Sequence, residues 1–212
     1  MTHTMHRKAQ AGTDYVVHLR PSGEAKIGSG PKVRGVLEKA LAIGPVTYGG
    51  PAMGSSLSLS GSEILENVKD GQALHLTFDH PEKFAQAVGL IASLGLNISL
   101  SVSGPLEDVL GVAKRHNLTV AGYQFDLGQI LSPGLPAGGL DAGDDGWLLE
   151  LVSLCGHMRI SPYLAKSLMA KIAAGTLSPA KAAARLGRPC RCGCFNLTAA
   201  EKILAKAAQK FA

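Results

Sequence analysis

Strand-like and helix-like periodicities alternate through this chain and predict an α/β protein. The expected form is a small βαβαβ-type sheet domain followed by a C-terminal helical, cysteine-rich module. Three observations carry the prediction. Apolar residues pattern like strands over 73–78, 97–103 and 118–125, with helical spacing between them over 81–94 and 105–116. Residues 128–146 hold six glycines and two prolines, a composition shift that marks a linker. Beyond it, Ser161-Pro162, Ser178-Pro179 and the pair Thr198/Glu201 each read as a helix start.

Taken in order, residues 1–12 are polar and read as an N-terminal arm. Asp14–Arg20 alternates like a strand. Over 31–43, Val33, Val36, Leu37, Ala40 and Leu41 fall on one helical side, with Pro31 in the first turn, where its missing N–H costs nothing. Gly49–Ser56 reads as a loop, with Tyr48, Met53, Ser55 and Ser56 as possible pocket lining, and a short helix follows at 64–68. The alternation of 73–125 implies a largely parallel or mixed sheet covered by helices. The domain limits are therefore 13–130 for the α/β part, 131–146 for the linker and 147–212 for the helical module. In that module helices are expected over 147–154, 162–173, 179–187 and 199–211, the last opened by a Thr198/Glu201 capping box.

Charged residues are 17% and hydrophobic residues 46% of the chain, which suits a folded core and excludes a disordered polyelectrolyte. No apolar run approaches the roughly 18 residues of a membrane span, and the first residues lack the apolar stretch of a secretory signal. The expectation is a soluble cytoplasmic protein without a membrane partner. From Cys155 onward there are ten Lys/Arg against Glu201 alone, a net of +9, while the rest has eleven against fifteen, a net of −4. Such a basic segment suits a solvated face, an acidic partner protein or an anionic substrate. Nucleic acid is the less favoured partner, because Tyr163, Phe195 and Phe211 are the segment's only aromatics for base stacking.

The densest chemistry is Cys190-Arg191-Cys192-Gly193-Cys194, with the fourth cysteine in Leu154-Cys155-Gly156-His157. In a reducing compartment clustered thiols hold metal or do redox chemistry more often than they form structural disulfides. Alternate residues of an extended segment lie on one side, roughly 6.6 Å apart. That spread suits the corners of an iron–sulfur cubane, whereas one zinc ion draws four ligands to within about 2.3 Å of itself. Cys155, Cys190, Cys192 and Cys194 are therefore the candidate ligands of a [4Fe–4S] cluster, with Zn²⁺ as the alternative cofactor and a metal-free dithiol as a third reading. Arg188 and Arg191 flank the run and would favour thiolate. His157 is a candidate fourth ligand or general acid/base. Four thiol ligands suggest electron transfer; three leave an iron open to an anionic substrate, as in a lyase, a desulfurase or an oxidoreductase of anaerobic metabolism.

Weaker signals lie elsewhere. Gly28, Ser29, Gly30 and Lys32 stand at a helix start, where N–H groups attract anions, although the pattern also reads as a plain tight turn. Asp126 ends the expected third strand, a common ligand position in α/β sheets. His75 reads as a core-edge residue and His80 as a turn residue.

Overall fold

The computed structural model describes residues 13–122, 146–157 and 159–210. The expected arm at 1–12, nearly all of the linker at 131–146, Asp126 and the end of the expected third strand lie outside those residues. The chain is a mixed α/β protein with a five-stranded antiparallel sheet and several helices. It divides into two units, each described by itself. Among the described residues one unit holds 13–122 with Arg191–Cys194, and the other holds 146–157, 159–190 and 195–210.

In the first unit the strands are β1 (Tyr15–Arg20), β2 (Thr47–Gly50), β3 (Gly54–Ser55), β4 (Leu74–Phe78) and β5 (Ser99–Ser103). The helices are α1 (Ser29–Leu41), α2 (Gly61–Glu66), α3 (Pro81–Ser93) and α4 (Leu106–Arg115). The sheet order is β3-β2-β4-β1-β5 with every pairing antiparallel. This corrects the expected βαβαβ order and its largely parallel or mixed pairing. Strands β4 and β5 do run parallel across α3, but β1 lies between them and pairs with both, so the unit is a split β-α-β. Periodicity reads each strand locally; it does not say that an N-terminal strand will take the central slot. Two further differences follow. Residues 118–122 form no strand, the chain having turned at Asn117 with φ 51°. The expected loop at 49–56 is instead the β2–β3 hairpin, in which Met53 is core and Ser55 is buried.

Side-chain alternation gives the sheet two different faces. Tyr15, Val17 and Leu19 of β1 join Leu74, Leu76 and Phe78 of β4 in one core, completed by Val33, Val36 and Leu37 of α1 and Phe84 and Val88 of α3. Burying a side chain such as Phe84 contributes about 1.5–3 kcal/mol, and its ring stacks on Tyr15 at 5.0 Å. Across β1 the Tyr15 hydroxyl donates to Asp108 Oδ2 at 2.6 Å, tying α4 to the sheet. The opposite face carries the intervening residues Val16, His18, Thr47, His75 and Thr77, all of them buried as well.

The second unit consists of α5 (Gly146–Ser153), α6 (Pro162–Ala173), α7 (Pro179–Gly187) and α8 (Leu197–Ala208). Ser161 and Ser178 cap α6 and α7, each with proline in the first turn, as the sequence implies. The last helix differs: Asn196 caps it, its Oδ1 accepting from the Ala199 N–H at 3.0 Å, so Thr198 lies inside the helix and the expected box is not made. Asparagine is among the strongest N-caps, and here it is fully buried.

Candidate thiol site

Cys155 follows α5 in a turn closed by the Gly156 N–H on the Ser153 carbonyl at 2.9 Å. Gly156 has φ 66°, a left-handed conformation that glycine adopts without penalty. That turn brings the backbone N–H groups of His157 and Arg159 onto the Cys155 sulfur, and the Cys155 thiol also meets Cys190. The thiol's pKa is pushed well up, first by the Cys190 thiol and next by burial, while the two N–H donors oppose the rise. The N–H pair is thus arranged for a sulfur carrying negative charge, and a cation at the pair would reverse the balance. His157 is exposed, and its ring bonds the Cys155 backbone carbonyl. Partial burial and then Arg159 lower its pKa, against that bond. Its visible role is to brace the Cys155 turn.

Cys190 is tied to the end of α7 by its N–H on the Gly187 carbonyl at 2.9 Å. The run then passes to the sheet unit, where Arg191–Cys194 belong. The expected assignment of the whole run to a helical module is therefore too simple: one peptide bond separates a helical-unit thiol from a sheet-unit segment. In the sheet unit Thr77 Oγ1 donates to the Gly193 carbonyl at 3.2 Å. Gly193 has φ 75° and passes so close to β2 that a Cβ would stand 2.4 Å from both C and O of Tyr48. Cys192-Gly193 repeats the Cys155-Gly156 pattern, with glycine left-handed in both.

All four cysteines are buried, at 0–2% exposure, and none forms a disulfide. Among the described residues, no three or more His, Cys, Asp or Glu side chains converge as a single metal ion requires. Arg188 and Arg191 are both exposed.

The Gly28-Ser29-Gly30 turn is already filled by the chain itself. Asp70 accepts from the Gly30 N–H at 2.6 Å and the Gly28 N–H at 2.8 Å, and the Ser29 hydroxyl accepts from the Gly71 N–H at 2.8 Å. The N–H groups of this helix start thus meet an internal carboxylate. Lys32 is exposed on α1 beyond the turn. The two N–H donors, Gly30 and then Gly28, hold the Asp70 pKa below its ordinary 3.8. The folded state therefore gains from this contact above that ordinary value and loses it only as pH falls through the lower folded one. In Asp70→Ala the amides of Gly28 and Gly30 should exchange with deuterium faster, while amides of β4 keep their protection; hydrogen-exchange mass spectrometry reads both.

Sequence reasoning placed His80 correctly in a turn: its Nδ1 accepts from the Glu82 N–H at 3.3 Å and caps α3. It missed the pairing of His75 with His18. These two are register partners on β4 and β1, buried on the second sheet face, with rings 4.4 Å apart and inclined by 10°. A signal was present, since Val17-His18-Leu19 and Leu74-His75-Leu76 each set an imidazole between aliphatic residues of the opposite face. Compared with known proteins, the chain matches no family model, no curated sequence and no solved structure.

Proposed function

We propose that the chain is an iron–sulfur protein in which Cys155, Cys190, Cys192 and Cys194 hold a [4Fe–4S] cluster, acting in the cytoplasm as an enzyme or accessory factor of anaerobic metabolism. The observation that carries the reading is the Cys155 pocket: a buried sulfur that receives two backbone N–H groups and meets a second cysteine 35 positions away. N–H donors to sulfur are what a ligating thiolate needs in a dry environment. The alternate spacing of Cys190, Cys192 and Cys194 favours a cluster over one zinc ion, because a cluster spreads its ligands over separate corners. Such a cluster supplies one-electron transfer, or Lewis acidity toward an anionic substrate where one iron lacks a thiolate. The protein's own groups stabilise the thiolate charge through the 157 and 159 amides and fix the Cys155 turn through His157. The exposed Arg188 and Arg191 add positive field, which suits a small anionic substrate or an acidic partner protein.

Anaerobic reconstitution with iron and sulfide tests this. A brown protein with about four iron per chain is expected, and Cys192→Ala should abolish iron uptake; full iron in that variant refutes the ligand set. A colourless protein holding one zinc supports the zinc-stabilised binding module instead, with nucleic acid or an acidic protein as its partner. The Cys155–Cys190 contact favours one second reading, a dithiol redox protein. That reading predicts a metal-free protein which loses two hydrogens to a disulfide oxidant and yields a Cys155–Cys190 bridge in peptide maps.

A further inference from the structure

We infer that His75, held by its stack on His18, is a positioning residue of the thiol site, its imidazole facing the Cys192-Gly193-Cys194 segment and donating an N–H to the sulfur charge held there. The effect on charge rests on the cluster reading above, whereas the placement does not.

Two contacts pin Gly193, and His75 adjoins both. Along β4, His75 precedes Thr77 by two residues on the same face, roughly 6.6 Å away, and the Thr77 hydroxyl is bonded to the Gly193 carbonyl. Across the sheet, His75 is the register partner of Gly49. A Cβ on Gly193 would stand 2.8 Å from the Gly49 nitrogen. Cys192 and Cys194 are the chain neighbours of Gly193, so their Cα atoms lie about 3.8 Å from it.

The plane of the ring is set by its neighbour on β1. The His75 ring lies parallel to His18 at 4.4 Å, and both are buried. The other polar groups on this face include Thr47 and Thr77, the buried Ser55 opposite Gly49, Ser101 opposite His18 on β5, Arg20 two residues beyond His18 on β1, and the buried Asp14 two residues before Val16. Asp14 lies four residues from His18 along the chain, whereas His75 is the register partner of Gly49, so His75 is the titratable group of this face that adjoins the Gly193 segment. A donor toward a thiolate sulfur favours the more negative, reduced state and raises its potential.

Two measurements decide the matter. In metal-free His75→Cys treated with diamide, the new thiol and one of the run should each give up a hydrogen to the oxidant. The expected product is a bridge from position 75 to Cys192 or Cys194, seen in peptide maps. Ser101→Cys serves as the control: β5 lies three strands from β2, roughly 14 Å, and no bridge is expected there. In reconstituted His75→Gln the iron content should match wild type. At a fixed applied potential its ratio of reduced to oxidised cluster should fall about tenfold, equivalent to about 59 mV for one electron. His18→Phe keeps a ring for the stack and should shift the ratio less. No bridge at position 75, equal bridging at 101, or an unchanged potential at full iron would each overturn the inference. A wild type that takes up no iron sinks the cluster reading alone, and the bridging result then decides this one.

Discussion

Replacing Gly193 with alanine is expected to destabilise the protein by roughly 2–5 kcal/mol. The left-handed φ of 75° costs an alanine about 1–2 kcal/mol. The added Cβ would also stand 2.4 Å from the carbonyl carbon and oxygen of Tyr48. Those atoms belong to β2, whose Tyr48 lies opposite Leu76 of β4 in the ladder, so they cannot yield as a flexible side chain could. Overpacking against such a wall adds about 1–3 kcal/mol. Gly175 provides the control. It too is left-handed, at φ 70°, but a Cβ there meets nothing within 4 Å, so Gly175→Ala should cost only the conformational part. Urea midpoints of the two variants separate the effects, and equal midpoints would mean that the 191–194 segment does not rest on β2 as described.

Acidification should destabilise the protein by about 3 kcal/mol between pH 6.5 and 4. Burial, and secondarily the nearby Arg20, lower the pKa of His18 from 6.5 to about 4. The unfolded chain therefore binds a proton in this window that the folded chain refuses. The sign follows: stability is unaffected by this group above pH 6.5, falls as pH drops toward 4, and changes no further below that. At about 1.36 kcal/mol per unit, the full difference is on the order of 3 kcal/mol. His18→Phe keeps an aromatic ring facing His75 and removes the proton site, so its urea midpoint should change less between pH 7 and pH 4.5 than that of wild type. The Asp70 contact does not interfere, because its lowered pKa places its loss at more acidic pH. A wild-type midpoint that is flat through the window would show that His18 is not buried on this face.

How much was legible follows from what each signal encodes. Helix starts were clear where Ser-Pro pairs marked them, because cap and first-turn chemistry is local: Ser161 and Ser178 do what their positions imply. The α8 cap was misplaced by two residues because Thr198/Glu201 and Asn196 are both plausible, and only tertiary burial of Asn196 chooses between them. Strands β1, β4 and β5 were found by alternation, yet their order was not, since pairing depends on which strand fills the gap left by a split crossover. The short hairpin strand Thr47–Gly50 carries two glycines and no alternation, so nothing local announced it. At the site, the cysteines were conspicuous, but the partition at Cys190–Arg191 was not. Nor was the buried imidazole pair, because each histidine looked ordinary alone and acquires meaning only from register.

The long sequence separation of one contact bears on the order in which the protein is made. Thr77 and Gly193 are 116 residues apart, and the strands that flank β1 are complete by Ser103. Synthesis proceeds from the N-terminus and domains tend to close as units. The sheet can therefore be finished while its cysteine segment is still untranslated. Cys192 and Cys194, on either side of Gly193, then leave the ribosome after the sheet can exist, so the time they spend exposed to stray metal or oxidant is shortened by the plan of the chain itself.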